Sequence, residues 1–146
     1  DVIQSFAHAE VESVEAVGVP VLTPRIDIAN ARLRFTNGCI ANVTASRVSL
    51  KRERMLRLFQ SDAYVAIDYD QRRVRIVRRA PATTPGGLAT IVADEHDAGQ
   101  GDPLRDEIAA FVAAVASRTT PVVSGRDGLR ALELAERIAA SIERVT

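Results

Sequence analysis

The chain has 146 residues and a mass of 15.8 kDa, the size of one ordinary domain, and its 19 basic residues balance 19 acidic ones. With 47% hydrophobic and 26% charged residues it is not a disordered chain, and no apolar run approaches the roughly 20 residues of a membrane span. The single cysteine, Cys39, excludes an internally stapled secreted scaffold, and zero net charge argues against a globally basic nucleic-acid binder.

The chain opens on Asp1 rather than on an initiator Met, and residues 1–20 carry neither a basic n-region nor a long apolar h-region. No signal peptide is expected in this chain, which is expected to begin partway through a longer, cytoplasmic protein. The β-branched content of 11–17 predicts a strand. Two period-two runs, 27–36 and 39–48, flank Asn37-Gly38, a dipeptide that tolerates positive φ at both turn positions. That pattern predicts a two-residue type I′ hairpin pairing Phe35 with Ile40 and Arg34 with Ala41. In this register Ala29, Ala31, Leu33, Phe35 and Ile40 share a face with Asn42, Thr44 and Ser46. The other face carries Arg32, Arg34 and Arg47 beside Ala41, Val43 and Ala45. Neither face is wholly apolar, as expected of a sheet covered on one side and used for contacts on the other.

Strands are further predicted at 54–60, 63–69 and 72–79, with Asp70-Gln71 as the turn between the last two. Residues 80–87, rich in Pro and Gly, read as a loop, 88–93 as a short strand, and Asp94 to Gly101 as a polar connection. The period then changes. Leu104, Ile108, Phe111, Val112 and Val115 predict a helix over 103–118, capped by Asp102 with Pro103 in its first turn. Ala131, Leu134, Ala135, Ile138, Ile142 and Val145 predict a second helix over 125–145. A capping box from Ser124 to Asp127 starts it, and a Glu133–Arg137 pair lies along it. Strands first and helices last imply an α+β domain: a predominantly antiparallel open sheet with helices packed on one face.

Chemistry-bearing motifs are sparse. Gly99-Gln100-Gly101 is the nearest approach to a dinucleotide fingerprint, but Leu104 stands where the third glycine belongs and no strand–helix alternation surrounds it. Asp94-Glu95-His96-Asp97 offers metal-ligand types, yet neighbours on an extended chain point apart, so a solvated acidic loop is expected and no metal site. His8 and His96 accompany no nucleophile elbow and are expected at the surface, and Cys39, with no His or Cys at a motif spacing, is expected to be a small buried residue. The arginines carry more. Lys51 is the one lysine among the basic residues, which concentrate at Arg47 to Arg57 and Arg72 to Arg79. Guanidinium groups so placed suit either a solvated sheet face or subunit contact, paired with acids such as Asp68 and Asp70, or an anionic ligand such as a phosphorylated sugar. Nucleic acid is not expected, since only 4% of residues are aromatic and none is Trp.

Three segments carry a family resemblance: "DIANARLRFTNGCIANVTASRVS" (Asp27 to Ser49), "DPLRDEIAAFVAAV" (Asp102 to Val115) and "VVSGRDGLRALELAERI" (Val122 to Ile138). In order and spacing they resemble the C-terminal domain of the Gfo/Idh/MocA oxidoreductases. "NVTASRVS" and "RMLRLFQSDAYVAIDY" look most like the subgroup acting on UDP-linked amino sugars, the UDP-N-acetylglucosamine-type sugar dehydrogenases. The resemblance implies an NAD(P)-dependent sugar dehydrogenase of two domains, of which residues 1–146 look like the second alone. That domain shapes the substrate pocket and builds the oligomer interface. The Rossmann glycines and the Glu-Lys-Pro signature match nothing here, and the family's Asp-x-x-x-His stretch would end just before Asp1. Accordingly no catalytic, cofactor-binding or metal residue is expected in this chain, which alone should be inactive, while NAD or NADP is expected for the whole protein. Ser46, Arg47 and Lys51 are expected on the substrate side. The expected partners are a sugar or nucleotide-sugar substrate, the missing Rossmann domain, and a second copy through the open sheet face in a homodimer or homotetramer. A stand-alone sheet-mediated dimerisation module without catalytic activity is the alternative reading.

Overall fold

The computed structural model describes residues 1–80, 90–99 and 101–143. Its elements follow the order α1 (Val2–Ala7), β1 (Val11–Val19), β2 (Ile28–Phe35), β3 (Ile40–Ser46), β4 (Met55–Phe59), β5 (Ala63–Asp68), β6 (Arg73–Arg79), β7 (Ile91–Asp97), α2 (Pro103–Ser117) and α3 (Gly125–Glu143). Every strand pairing is antiparallel, so the chain is an α+β fold, with its strands divided between two sheets. The contacts define two compact units: Asp1–Leu50 with the chain from Glu107 onward, and Lys51–Asp106. The expected loop at 80–87 falls outside the described residues from 81 on, as do 88–89 of the short strand and Val145 of the last helix.

In the first unit β1, β2 and β3 form a three-stranded sheet. The hairpin register is not the expected one. Leu33 lies opposite Ala41 and Arg34 opposite Ile40, one residue away from a two-residue turn. The loop instead has three residues, Thr36 to Gly38, closed by Phe35 N–H to Cys39 O at 2.9 Å and Gly38 N–H to Phe35 O at 2.9 Å. Gly38 has φ 84°, the left-handed position that a three-residue hairpin needs. Asn37 is committed elsewhere: its Nδ2 donates to Ala7 O at the end of α1 (2.8 Å) and its Oδ1 accepts the Cys39 N–H (3.1 Å).

A one-residue slip moves every side chain of β3 to the other face. Ala41, Val43 and Ala45 therefore join Ala29, Ala31 and Leu33, which also oppose Gly18, Ala16 and Val14 of β1. One face becomes apolar, and the other collects Asn30, Arg32, Arg34, Asn42, Thr44 and Ser46. The core forms on the apolar face, where Ala16, Ala31, Leu33 and Phe35 meet Leu134 and Ile142 of α3 and Ala7 of α1.

Helix α3 starts as its sequence predicts, with the Ser124 N–H donating to Asp127 Oδ2 (2.7 Å). Arg137 does not pair with Glu133. Both of its Nη atoms donate to Val11 O at 3.1 Å, where an irregularity between Val11 and Ser13 interrupts the ladder and frees that carbonyl. Helix α2 is capped by Asp102 Oδ1, which accepts the Arg105 N–H (3.2 Å), and its five apolar positions are all more than half exposed.

The second unit is a meander, β4-β5-β6-β7. Leu56, Leu58, Val65, Ile67, Val74 and Ile76 share one half-buried face. Strand β7 runs four residues further than expected, through Asp94 to Asp97. Its acids lie opposite arginines: Asp97 faces Arg73, Glu95 faces Arg75, and Asp94 reaches Arg78 at 3.7 Å. Opposite charges across a ladder offset the low strand propensity of Asp.

At Gly18 the strand passes under α3, and a Cβ there would lie 2.8 Å from Ile26 Cγ2 and 3.0 Å from Ile142 Cγ2. Gly18→Ala is expected to destabilise the first unit by about 1–3 kcal/mol through overpacking. Leu33→Ala, at a fully buried position, should cost about 2–5 kcal/mol. Urea unfolding of the two variants against the parent checks both values.

Candidate functional site

The strand ends furthest from the hairpin loop carry the densest polar cluster of the first unit. Residues 20–26 connect β1 to β2, and Asp27 closes that loop with its N–H donated to Val19 O (3.0 Å). The hairpin register continues one step past β3, so that Asp27 O accepts the Arg47 N–H at 3.0 Å. Burying a carboxylate is costly unless its oxygens are satisfied. Asp27 Oδ2 accepts three consecutive backbone N–H groups, from Val21 (2.9 Å), Leu22 (2.7 Å) and Thr23 (2.8 Å). Its Oδ1 accepts the Thr23 hydroxyl at 3.0 Å and lies 3.7 Å from Arg47 Nε. The loop is a backbone nest of the kind that binds anions, and its anion is the chain's own carboxylate. Those N–H groups, Thr23 and Val21 foremost, hold the Asp27 carboxyl well below the usual carboxylate range against the opposing effect of burial.

Ser46 and Arg47 thus stand together at this end. The Ser46 hydroxyl oxygen accepts from Ser49 Oγ at 2.8 Å, and the Arg47 side chain is 62% exposed. Its Nη atoms have no partner among the described residues. Lys51 belongs to the second unit and is not gathered into this cluster by any bond; its ammonium donates to Glu53 Oε1 at 2.9 Å, which favours the charged form. An open groove of about 500 Å³ crosses the middle of the three-stranded sheet, lined by residues 14–17, 30–32, 42–44 and Ser141. Sequence reasoning treated Asp27 only as the start of a strand. The available signal was an Asp four residues after Thr23 in a Pro-bounded loop, the spacing of a side chain that turns back on its own backbone.

The remaining candidates separate. Asp94 and His96 alternate with Glu95 and Asp97 along β7, and no group of three or more metal-ligand side chains converges among the described residues. His8 ends α1 in the left-handed conformation (φ 48°), and Cys39, expected to be buried, is instead exposed, because it directly follows the hairpin loop. The residues between β7 and α2 do not fit a nicotinamide dinucleotide. Gly99 O and Gly101 O are engaged by Arg72 (3.3 and 2.5 Å), Asp102 occupies the start of α2 with a negative charge, and Pro103 brings no N–H. No helix among the described residues is long and apolar enough to cross a membrane.

No protein-family model matches the sequence. The chain is 33% identical over 143 residues to UDP-N-acetylglucosamine 3-dehydrogenase of Acidithiobacillus ferrooxidans, a match covering 98% of this chain and 45% of that protein. The solved structure of the same enzyme superposes with a TM-score of 0.89 at 31% identity, again over 98% of this chain and 45% of the other. The fold is shared more widely. Aldose-aldose oxidoreductase from Caulobacter crescentus gives a TM-score of 0.75 at 20% identity over 99% of this chain and 42% of its own. Levoglucosan dehydrogenase, solved with NADH and L-sorbose, gives 0.75 at 15% identity over 92% and 43%. This chain therefore spans a little under half the length of the relatives it matches, and the part it matches is C-terminal. The likeness carried by the three motifs holds across the chain in sequence and fold: it is homologous to a UDP-N-acetylglucosamine 3-dehydrogenase and has the fold of Gfo/Idh/MocA-type sugar oxidoreductases.

Asp27 and Asp127 are both depressed in the folded chain, the latter chiefly by the Ser124 hydroxyl. A carboxylate with a lowered folded pKa contributes stability above its unfolded value and loses it as pH falls through the folded one. Stability is thus expected to be flat with respect to these two groups from pH 5 to 8 and to fall progressively below about pH 4. In Asp27→Asn the chain should be less stable at neutral pH and lose less on acidification, as measured by thermal unfolding across that range.

Proposed function

We propose that this chain is the substrate-binding and oligomerisation domain of an NAD(P)-dependent sugar dehydrogenase, with a nucleotide sugar as substrate. The observation that carries the reading is the 33% identity over 98% of the chain to an enzyme of which it spans only 45%. In this reading the nicotinamide sits in a separate Rossmann domain. In this reading the whole protein moves a hydride between a sugar carbon and the nicotinamide of NAD or NADP in the cytoplasm. Alone, the chain turns over nothing.

Within this proposal Ser46, Arg47 and Lys51 lie on the substrate side. A planar guanidinium with free Nη atoms offers a bidentate fork to a phosphate or diphosphate, and a hydroxyl beside it can serve a sugar oxygen. Self-association uses the polar face of the three-stranded sheet. There Glu15, Arg32 and Arg34 have no ion-pair partner among the described residues, and Val17, Val19 and Ile40 are exposed around them. A second copy brought face to face would set acid against arginine and cover the aliphatic side chains, the pattern of an isologous interface.

Two measurements on the purified chain test the reading. UDP-N-acetylglucosamine is expected to bind saturably, and NADH is expected not to; saturable NADH binding would overturn the two-domain assignment. Light scattering across a concentration series should show a dimer or tetramer that Arg32→Glu shifts toward monomer. A strictly monomeric parent would count against the sheet interface.

A further inference from the structure

Asp27 is the one buried charged residue among those described, and every bond it makes ties one segment to another. Its N–H and C=O join the end of β1 to the residue after β3, and its Oδ2 fixes the intervening loop at three successive N–H groups. Oδ1 is left with the Thr23 hydroxyl and Arg47 Nε. A guanidinium approached at Nε by one carboxylate keeps its two Nη groups for a second anion. The Nη atoms of Arg47 are in that condition, on a side chain that is largely exposed while the Asp27 side chain is fully covered.

We propose that Asp27 is a positioning residue for Arg47: it holds the guanidinium through Nε so that the Nη pair is presented outward to a phosphate-bearing ligand, which Asp27 itself never touches. The assignment rests on the reading of Arg47 as a substrate-side residue, and it adds the element that makes a flexible exposed arginine selective. The order of dependence is fixed by the chain. Three backbone N–H groups and a hydroxyl fix the carboxylate, its charge draws Nε across 3.7 Å, and the ligand meets a fork already oriented. Pre-organisation of this kind lowers the rotamer entropy lost on binding.

The experiment combines side-chain dynamics with binding on the full chain. ¹⁵N relaxation of the Arg47 Nε–H should report a restricted side chain in the parent and a mobile one in Asp27→Asn, while the amides of β2 keep their protection from hydrogen exchange. Titration with uridine diphosphate should show binding weakened roughly tenfold in Asp27→Asn, with Arg47→Ala weakened as much and the double variant no worse than Arg47→Ala. An Arg47 Nε–H as mobile in the parent as in a free arginine overturns the proposal, and needs no variant to fold. So does an Asp27→Asn chain whose loop amides exchange faster while Nε–H order and affinity stay unchanged, since that is a purely structural role. If the parent shows an ordered Nε–H that Asp27→Asn releases, but no affinity for uridine diphosphate, the positioning stands and the substrate-side reading of Arg47 falls.

Discussion

The register of one hairpin decides what the first unit can be. With Leu33 opposite Ala41, the three strands gather alanines, Val14, Val43 and Leu33 onto one face and the arginines, amides and hydroxyls, with Val17, Val19 and Ile40 among them, onto the other. Shifted by a single residue, β3 would turn Ala41, Val43 and Ala45 away from the core face and set Asn42 and Thr44 beside Ala31 and Leu33. The same register runs to the far end of the hairpin and sets Arg47 against Asp27. The apolar side chains that β3 adds to the core and the polar cluster at its far end are thus two consequences of a three-residue loop at 36–38. That loop depends in turn on Gly38 taking a positive φ and on Asn37 being held by α1.

Zero net charge conceals a division of labour among the arginines. In the second unit they are structural: Arg75 is bound by Glu95 through Nε at 2.7 Å, Arg78 lies near Asp94, and Arg52 near Asp70. Each of these pairs is exposed and worth a fraction of a kcal/mol up to about 1, and the first two join β7 to β6 along its acid- and His-rich positions. Arg72, at φ 55°, spends its guanidinium on the carbonyls of Gly99 and Gly101. In the first unit Arg137 closes the gap in the β1 ladder. Arg32, Arg34 and the Nη pair of Arg47 are the basic groups of the first sheet left for other molecules, and they are the ones on which the proposed contacts rest.

Most elements were legible from local pattern. The period-two runs gave the strands, Asp102-Pro103 and Ser124–Asp127 gave the helix starts, and the change of period gave the α+β class. What local pattern misplaced depended on partners distant in sequence. Asn37-Gly38 is the signal of a two-residue turn, but the carbonyl that claims Asn37 belongs to Ala7, thirty residues away. Asp94 to Asp97 look like a loop until Arg73, Arg75 and Arg78 lie across from them. Glu133 and Arg137 have ideal helical spacing, yet the irregularity at Val11 to Ser13 offers Arg137 a backbone oxygen that no spacing rule anticipates. Of the site, the side-chain types at Ser46 and Arg47 could be read from the sequence, whereas for Asp27 only its spacing from Thr23 was a signal, and that spacing says nothing of Arg47. Three of its partners are main-chain N–H groups, which carry no residue identity.

Asp27 also accounts for why the cluster sits on strand ends rather than inside the sheet. Along a strand successive N–H groups point to opposite sides, so three consecutive donors can converge on one oxygen only where the extended pairing has stopped. The loop at 20–26 provides that break, and Pro20 and Pro24 keep it from re-pairing because neither has an N–H to give. A carboxylate placed there is dehydrated without being unsatisfied, and it brings its charge to the one side where the hairpin register has already set an arginine. Fold and candidate site therefore meet at a single residue: the anion that closes the β1–β2 loop is also the nearest negative charge to the guanidinium left free to bind.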